Sequence, residues 1–376
     1  MNGEVCPKGR AWIEINGENL RYNVLNLSRL LPKGAKFMPA LKANAYGHGA
    51  GIIGRELNKM GIDKFCVAAA EEGVELREEG VKGEILILGY TAPENFELLK
   101  KYDLNQSVLD YEYAKLLNAY TEPVKVHIAV DTGMKRIGES AENFDRICEM
   151  FRMQNLDING IFTHLCVSDS KTPSDSKFTY AQGEKFWNVV KRLNGLGYNP
   201  KTHLLGSYGL LNYPELGGDY ARVGIAMYGI LSKKEDLNFC PVKLKPVMEL
   251  KCKVTAIKSL NAGDGAGYGL DYRADKPSKL AVLSIGYGDG LPRELSNGAG
   301  SVLINGQKAT IVGRICMDQC FADISDIQNI HCGDTAVIIG KSGDMQISAE
   351  EIAAEAGTIT NELLSRMGSR LHRIRV

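Results

Sequence analysis

The chain has 376 residues, and its 45 Lys+Arg balance 45 Asp+Glu, so the formal net charge at pH 7 is zero. No bulk field is available to gather nucleic acid or an anionic membrane surface, and any bound anion must be held by a local site. A hydrophobic share of 44% and a charged share of 24% mark an ordinary folded protein, long enough for two domains.

Residues 1–10, MNGEVCPKGR, lack the apolar core of a signal peptide and read as a polar lead-in or linker. No apolar run approaches the roughly 20 residues needed to span a bilayer, so this chain is expected to hold no membrane segment and to work in the cytoplasm. From residue 11 to 238 short apolar runs alternate with amphipathic stretches. The expected strands are Phe37–Lys42, Phe65–Ala69, Glu84–Leu88, Asn105–Leu109, Lys125–Val130, Asn159–His164, Thr202–Gly206 and Ala221–Ile225. Helical spacing falls between them, as in Asn19–Leu31, Ala70–Glu79 and Ala181–Gly195. Such strand–helix repeats predict a parallel (β/α)8 barrel.

The rhythm changes near residues 232–243, where Lys233-Lys234-Glu235-Asp236 looks solvated. Residues 239–376 are β-rich: Lys243–Lys258, Lys279–Ser284, Ser301–Ile304, Gln307–Val312, Ala322–Ile324 and Ala336–Ile339 are separated by Gly-rich turns. They predict a mainly antiparallel domain, closed by one helix over Ser348–Ser365 that opens on a Ser348/Glu351 capping box. The 9 cysteines are scattered and form no CxxC pair. They read as free thiols in a reducing compartment, with a structural zinc site as the lesser alternative and no metal expected.

Barrels carry chemistry on the C-terminal ends of their strands. The first such end is Lys42. Burying an ammonium is costly, so this lysine either snorkels to the rim or has a chemical use. The ends of strands seven and eight read Gly206-Ser207 and Gly224-Ile225, where a hydroxyl and exposed backbone N–H groups suit a phosphate. A Gly-Ser pair is also a common turn.

The segment Lys42-Ala43-Asn44-Ala45-Tyr46-Gly47-His48 resembles the cofactor-lysine motif of the alanine racemases. The resemblance continues in order through Asp131-Thr132-Gly133-Met134 with Arg136, Thr163-His164, Arg222-Val223-Gly224, Gly267-Tyr268-Gly269, Gly286-Tyr287 and Gly313–Gln319. It implies an amino-acid racemase using pyridoxal phosphate, working as a homodimer with shared sites. Lys42 would hold the cofactor and act as one catalytic base. Tyr46, Ser207, Gly224 and Ile225 would bind its phosphate. Arg222 would face its pyridine nitrogen, leaving that nitrogen unprotonated and the ring a weaker electron sink, with His164 beside it. Arg136 would sit between the cofactor and the substrate carboxylate. The second base, Tyr268, would come from the partner chain, as would Met317 and Asp318 at the substrate, while Arg293, Arg314 and Tyr287 would line the entrance corridor.

Two positions depart from the pattern. Many alanine racemases have a carbamylated lysine where this chain has Ala129, so Arg136 must be held by something else, such as a bound anion. Near the C-terminus the family's Thr-Ile-Asn-Tyr-Glu is here Thr358-Ile359-Thr360-Asn361-Glu362. Asn361 in place of a tyrosine gives up a phosphate contact, opens space and adds hydrogen-bonding capacity. It is similar in this to the serine racemases of vancomycin-resistance clusters, whose catalytic domain follows a membrane domain. The expected substrates are therefore serine and alanine, with Asn361 in the substrate pocket, and the expected product is D-amino acid for peptidoglycan precursors or vancomycin resistance. A plain alanine racemase, a non-catalytic pyridoxal-phosphate carrier and a decarboxylase are the alternatives. The carrier reading has no use for Tyr268, and the decarboxylase reading needs a carboxylate where Arg222 stands.

Overall fold

The computed structural model describes residues 9–376, so residues 1–8 of the expected lead-in lie outside the described residues. Parallel strands Lys64–Val67, Glu84–Ile87, Leu104–Val108, Val124–Asp131, Leu156–Phe162, Lys201–Leu205, Tyr220–Ala221 and Lys36–Phe37 pair in this order in one sheet. The ring closes through a parallel bridge between Ala40 and Cys66. Leu41 N donates to Cys66 O at 2.8 Å and Cys66 N to Pro39 O at 2.9 Å. Strands covered on both faces need apolar residues at consecutive positions. Phe65, Ile85, Leu86, Ile87, Ile128 and Ile161 accordingly have no solvent exposure. The expected (β/α)8 barrel is the observed one.

The second domain is mainly antiparallel, as expected. Met248–Leu260 pairs with Ser278–Leu283 along one part of its length and with Thr335–Ser342 along another. The strands Cys320–Asp323, Gln307–Val312 and Ser301–Ile304 complete the circuit between those two neighbours. Its leucines, isoleucines and valines fill the interior, among them Leu250, Leu283, Val302, Leu303 and Ile311.

Three expectations need correction. The run Ala11–Ile15, placed at the head of the barrel segment, lies in the second sheet, antiparallel to Met248–Leu260 and parallel to His372–Arg375. A closed barrel offers no edge, so this apolar strand pairs where an edge is open. Ala221–Ile225 is a strand only at Tyr220–Ala221, and Ile225–Tyr228 forms a 3-10 turn. Finally, Ser348–Ser365 is two helices, Ala349–Glu355 and Thr360–Ser365. The capping box is present, with Ser348 Oγ accepting from Glu351 N at 3.2 Å and Glu351 Oε2 from Ser348 N at 2.9 Å. The helix then stops because Gly357 takes a left-handed φ of 71° and Thr358 N donates to Ala353 O at 2.8 Å, a glycine stop of the Schellman kind. This break sets the direction of the helix that carries Asn361.

All described cysteines are free, and no metal-ligating cluster occurs among the described residues. No helix among the described residues is long and apolar enough to cross a membrane.

Candidate active site

A cavity of about 560 Å³ opens at the C-terminal end of the barrel. Lys42, Tyr46, Arg136, His164, Ser207, Arg222, Gly224, Ile225 and Asn361, all singled out from the sequence, line it. Cys66 also borders it, and burial pushes its thiol up to about 11 despite the nearby Arg222 and Lys42 charges. It is an inert wall.

Lys42 begins an unusual piece of backbone. Ala43, Asn44, Ala45 and Tyr46 have φ of 51°, 52°, 54° and 51°, one turn of left-handed helix without a glycine. Each such residue costs about 1–2 kcal/mol relative to the right-handed form, so neighbours must hold it. Glu72 Oε1 accepts from Ala43 N at 2.6 Å. Asn44 Oδ1 accepts from Ala50 N at 2.7 Å. His48 Nδ1 lies 3.0 Å from Ala45 O and 2.9 Å from Tyr46 O. Two carbonyls can only accept, so Nδ1 carries the proton, and burial holds the ring neutral with its pKa lowered to about 4. From the second domain Arg373 Nε donates to Gly47 O at 2.8 Å. Gly47 has no room for a side chain, because a Cβ there would lie 2.1 Å from Leu364 O. The helix bearing Asn361 is thereby packed directly on the turn that presents Lys42. Glu72, His48 and Arg373 had no assigned part in the sequence reading, since nothing in their local pattern marks a left-handed turn.

At the opposite wall Ser207 Oγ accepts from Gly224 N at 2.9 Å and from Ala226 N at 3.3 Å. A Cβ on Gly224 would fall 2.6 Å from Tyr46 Oη. With its lone pairs taken by those two N–H groups, the Ser207 hydroxyl is left to donate, and it shares one glycine-lined recess with the Tyr46 hydroxyl, a pair of donors suited to a phosphate dianion. Gly224→Ala is expected to fill that recess. Its pyridoxal-phosphate Kd, followed by absorbance titration, should rise by about tenfold or more while the fold is kept; unchanged affinity would remove this recess from the cofactor site.

Arg222 lies across the cavity, 6% exposed. Its Nη1 donates to His203 Nδ1 at 2.6 Å and His203 O at 3.0 Å. Its Nη2 donates to Thr163 O at 2.7 Å and meets His164 Nδ1 at 3.2 Å. No carboxylate among the described residues pairs with it. Burial, opposed by the Cys66 thiol and reinforced by Arg136, lowers it to about 10, so it keeps its proton at neutral pH. Because guanidinium only donates, both histidines present lone pairs from Nδ1. Burial first, then the Arg222, Arg136 and Lys42 charges, drives His164 down to about 3. The cavity thus meets a fixed cation with neutral partners. The expected neighbourhood of His164 and Arg222 is present, and His203 is an addition.

Arg136 forms no ion pair among the described residues and is open to the cavity. Behind it, Ala129, Arg136 and His164 border a small void. Asn361 borders the cavity, its Oδ1 accepts from Ser232 Oγ at 2.8 Å, and its amide N–H groups are unpaired among the described residues. Tyr268 and Met317 do not line this cavity within one chain, and are 68% and 52% exposed. Asp318 is also exposed and pairs with Arg370 at 2.7 Å. Arg314 is tied to Asp271 at 2.5 Å. The backbones of Tyr287 and the Met317 loop are joined, Gly288 N donating to Met317 O at 2.9 Å, and Arg293 opens the short turn Arg293–Leu295 that follows.

Residues 15–232 match the family model of the alanine racemase N-terminal domain, and residues 247–375 that of the alanine racemase C-terminal domain. The chain belongs to the alanine racemase family. The family depends on pyridoxal phosphate, and the residues lining the cavity fit that group: a glycine recess with phosphate donors, a lysine, and a buried arginine for the far end of a ring. An amino-acid racemase of Enterococcus faecalis is 41% identical over 97% of this chain and 52% of its own length. This chain thus spans about half the length of that curated relative. The alanine racemase of Halothermothrix orenii is 38% identical, covering 96% of both chains. A solved alanine racemase from Clostridium difficile superposes with a TM-score of 0.90 at 34% identity, over 98% of this chain and 96% of that one.

Proposed function

We propose that this chain racemises small neutral amino acids, serine and alanine, through two opposed bases. The observation that carries the reading is one cavity lined by Lys42, Arg222 and the phosphate donors Tyr46 and Ser207. Bound there, pyridoxal phosphate supplies an electron-withdrawing ring that loosens the substrate Cα–H bond. Tyr46 and Ser207 would hold the phosphate, and Arg222, whose Nη hydrogens are taken by His203, Thr163 and His164, would have its Nε–H left for the ring nitrogen and would add no proton to it. Arg136 takes the substrate carboxylate. With substrate bound, Lys42 would hold or return the Cα proton on the D face. Tyr268 of the partner subunit does the same on the L face, with Met317 and Asp318 of the partner subunit beside the substrate. In this reading the working form is a homodimer, and the exposure of Tyr268 and Met317 in one chain supports it.

The preference for serine rests on Asn361. Its amide N–H groups can meet a substrate hydroxyl where a tyrosine would occupy the space. Serine use, likeness to the vancomycin-resistance racemases and a supply of D-amino acid to cell-wall precursors belong together in this proposal. The match to half of a longer Enterococcus faecalis amino-acid racemase supports racemisation, and a cytosolic catalytic domain is the form in which the finer reading fits. A plain alanine racemase would share every other residue of the site. The test is optical rotation of L-serine and L-alanine solutions with purified holoenzyme. Decay to zero without release of CO2 is expected; a static signal from a yellow protein would instead support a non-catalytic carrier. In Asn361→Tyr the ratio of kcat/KM for serine over alanine is expected to fall about tenfold. An unchanged ratio defeats the serine assignment and leaves racemisation standing.

A further inference from the structure

The cation at the far end of the cavity is wired to the opposite end of the barrel. His203, on Lys201–Leu205, accepts from Arg222 through Nδ1, so its own proton is on Nε2. That Nε2 lies 2.8 Å from His127 Nδ1, on the strand Val124–Asp131. His127 Nδ1 must then accept, which puts its proton on Nε2. This atom faces Glu84 Oε1 at 3.3 Å, a charge–dipole contact and not a hydrogen bond, since neither atom has a hydrogen-bond partner among the described residues. Glu84 Oε2 in turn pairs with Lys64 Nζ at 2.8 Å. Arg222, His203 and His127 therefore form one directed row of hydrogen bonds through the barrel core, and its far end faces the Glu84 carboxylate.

The surroundings are built for the row. His127 and His203 have no solvent exposure. Phe162 stacks on His203 with ring centres 4.9 Å apart, which holds that imidazole in plane. A Cβ on Gly160 would lie 2.3 Å from His127 Nδ1, so the neighbouring strand omits a side chain where the His127 ring passes. Burial would raise the Glu84 pKa, yet His127 and Lys64 hold it down to about 2, and the row ends on a charge.

We propose that Glu84 is a positioning residue for Arg222: its carboxylate, relayed by two neutral imidazoles, serves as the remote counter-charge of an arginine that has no carboxylate of its own. A nearby carboxylate would compete for the guanidinium face turned to the cavity. A remote one strengthens His203 as an acceptor by polarising the row and leaves that face free. The bearing on catalysis rests on the role proposed for Arg222; the proton pattern does not.

The test uses holoenzyme without substrate, labelled with ¹⁵N-histidine, which is tractable with only 6 histidines. Three imidazoles, those of His127, His164 and His203, are expected with Nε2 protonated and Nδ1 bare. Glu84→Gln keeps shape and loses charge. The His203 Nδ1 resonance should move toward that of a free imidazole nitrogen, and kcat should fall about fivefold with KM unchanged, the difference between a charge-assisted and a neutral hydrogen bond. Lys64→Met, which leaves the carboxylate in place, should move neither. Gly160→Ala, which crowds His127 while sparing the Glu84–Lys64 pair, should reproduce the Glu84→Gln shift and serves if that variant does not fold. An unmoved His203 resonance in both variants, or a proton found on His127 Nδ1, overturns the proposal. If the resonance moves but the enzyme racemises nothing, the relay stands and the functional reading falls.

Discussion

Lys42→Ala should abolish racemisation and yield a protein that releases pyridoxal phosphate on dialysis. Two losses combine. The covalent anchor goes, leaving only the contacts at Tyr46, Ser207 and Gly224, and one of the two groups that move the Cα proton goes with it. General acid–base groups contribute about 10²–10⁴-fold each, so a fall below the detection limit is expected. The backbone should tolerate the change, because the left-handed turn is pinned by Glu72, Asn44 and His48 and not by the lysine side chain. The melting temperature without cofactor should thus match that of cofactor-free wild type. A variant that keeps even a hundredth of wild-type turnover with bound yellow cofactor would remove Lys42 from the mechanism.

Tyr268→Phe should cost about 10²–10⁴-fold in racemisation, but in a one-sided way. With only Lys42 remaining, exchange of the Cα hydrogen with deuterated water should persist for the D-amino acid and fail for the L form. The flanking Gly267 and Gly269, at φ of 76° and 71°, set the loop geometry, and the hydroxyl is absent from the cavity of its own chain. Mixing follows from this. Lys42→Ala and Tyr268→Phe proteins, each inactive, should regain about a quarter of wild-type activity when unfolded and refolded together, because a heterodimer rebuilds one intact site. No recovery on mixing, with dimers confirmed by light scattering, would place both bases in one chain.

The barrel was legible because fully covered strands leave little choice of residue. Runs such as Phe65-Cys66-Val67 and Ile85-Leu86-Ile87 announce themselves. The phosphate donors were legible for a related reason, small residues being placed where a barrel presents strand ends. The left-handed turn was not. Ala43 to Tyr46 have no glycine, and the residues that impose it lie up to hundreds of positions away, as Arg373 does. Ala11–Ile15 fell inside the expected barrel range for a different reason: an apolar run before the first barrel strand gives no sign of which sheet it will join. The row from Arg222 to Glu84 had a visible trace in the histidines of Val124–Asp131 and Lys201–Leu205, polar residues inside apolar runs. Spacing within each strand does not reveal that the two rings meet. Asn361 stood out by its departure from a motif, and only the stop at Gly357 shows how its helix comes to the cavity.

The strand Ala11–Ile15 also bears on how the protein comes into being. It is made before the barrel, yet its two neighbours, Met248–Leu260 and His372–Arg375, are made after it. Until they emerge, Trp12, Ile13 and Ile15, all buried in the folded chain, must remain exposed beside a barrel that has no edge to receive them. That interval is a window for misassociation and for chaperone binding. It also decides where the molecule can be cut. A barrel excised as residues 11–238 would carry an orphaned sticky strand, and a second domain expressed alone would lack the strand that joins its last one to the sheet. Circular permutation joining Val376 to the N-terminal strand keeps both, since Val376 N already donates to Ile15 O at 2.9 Å.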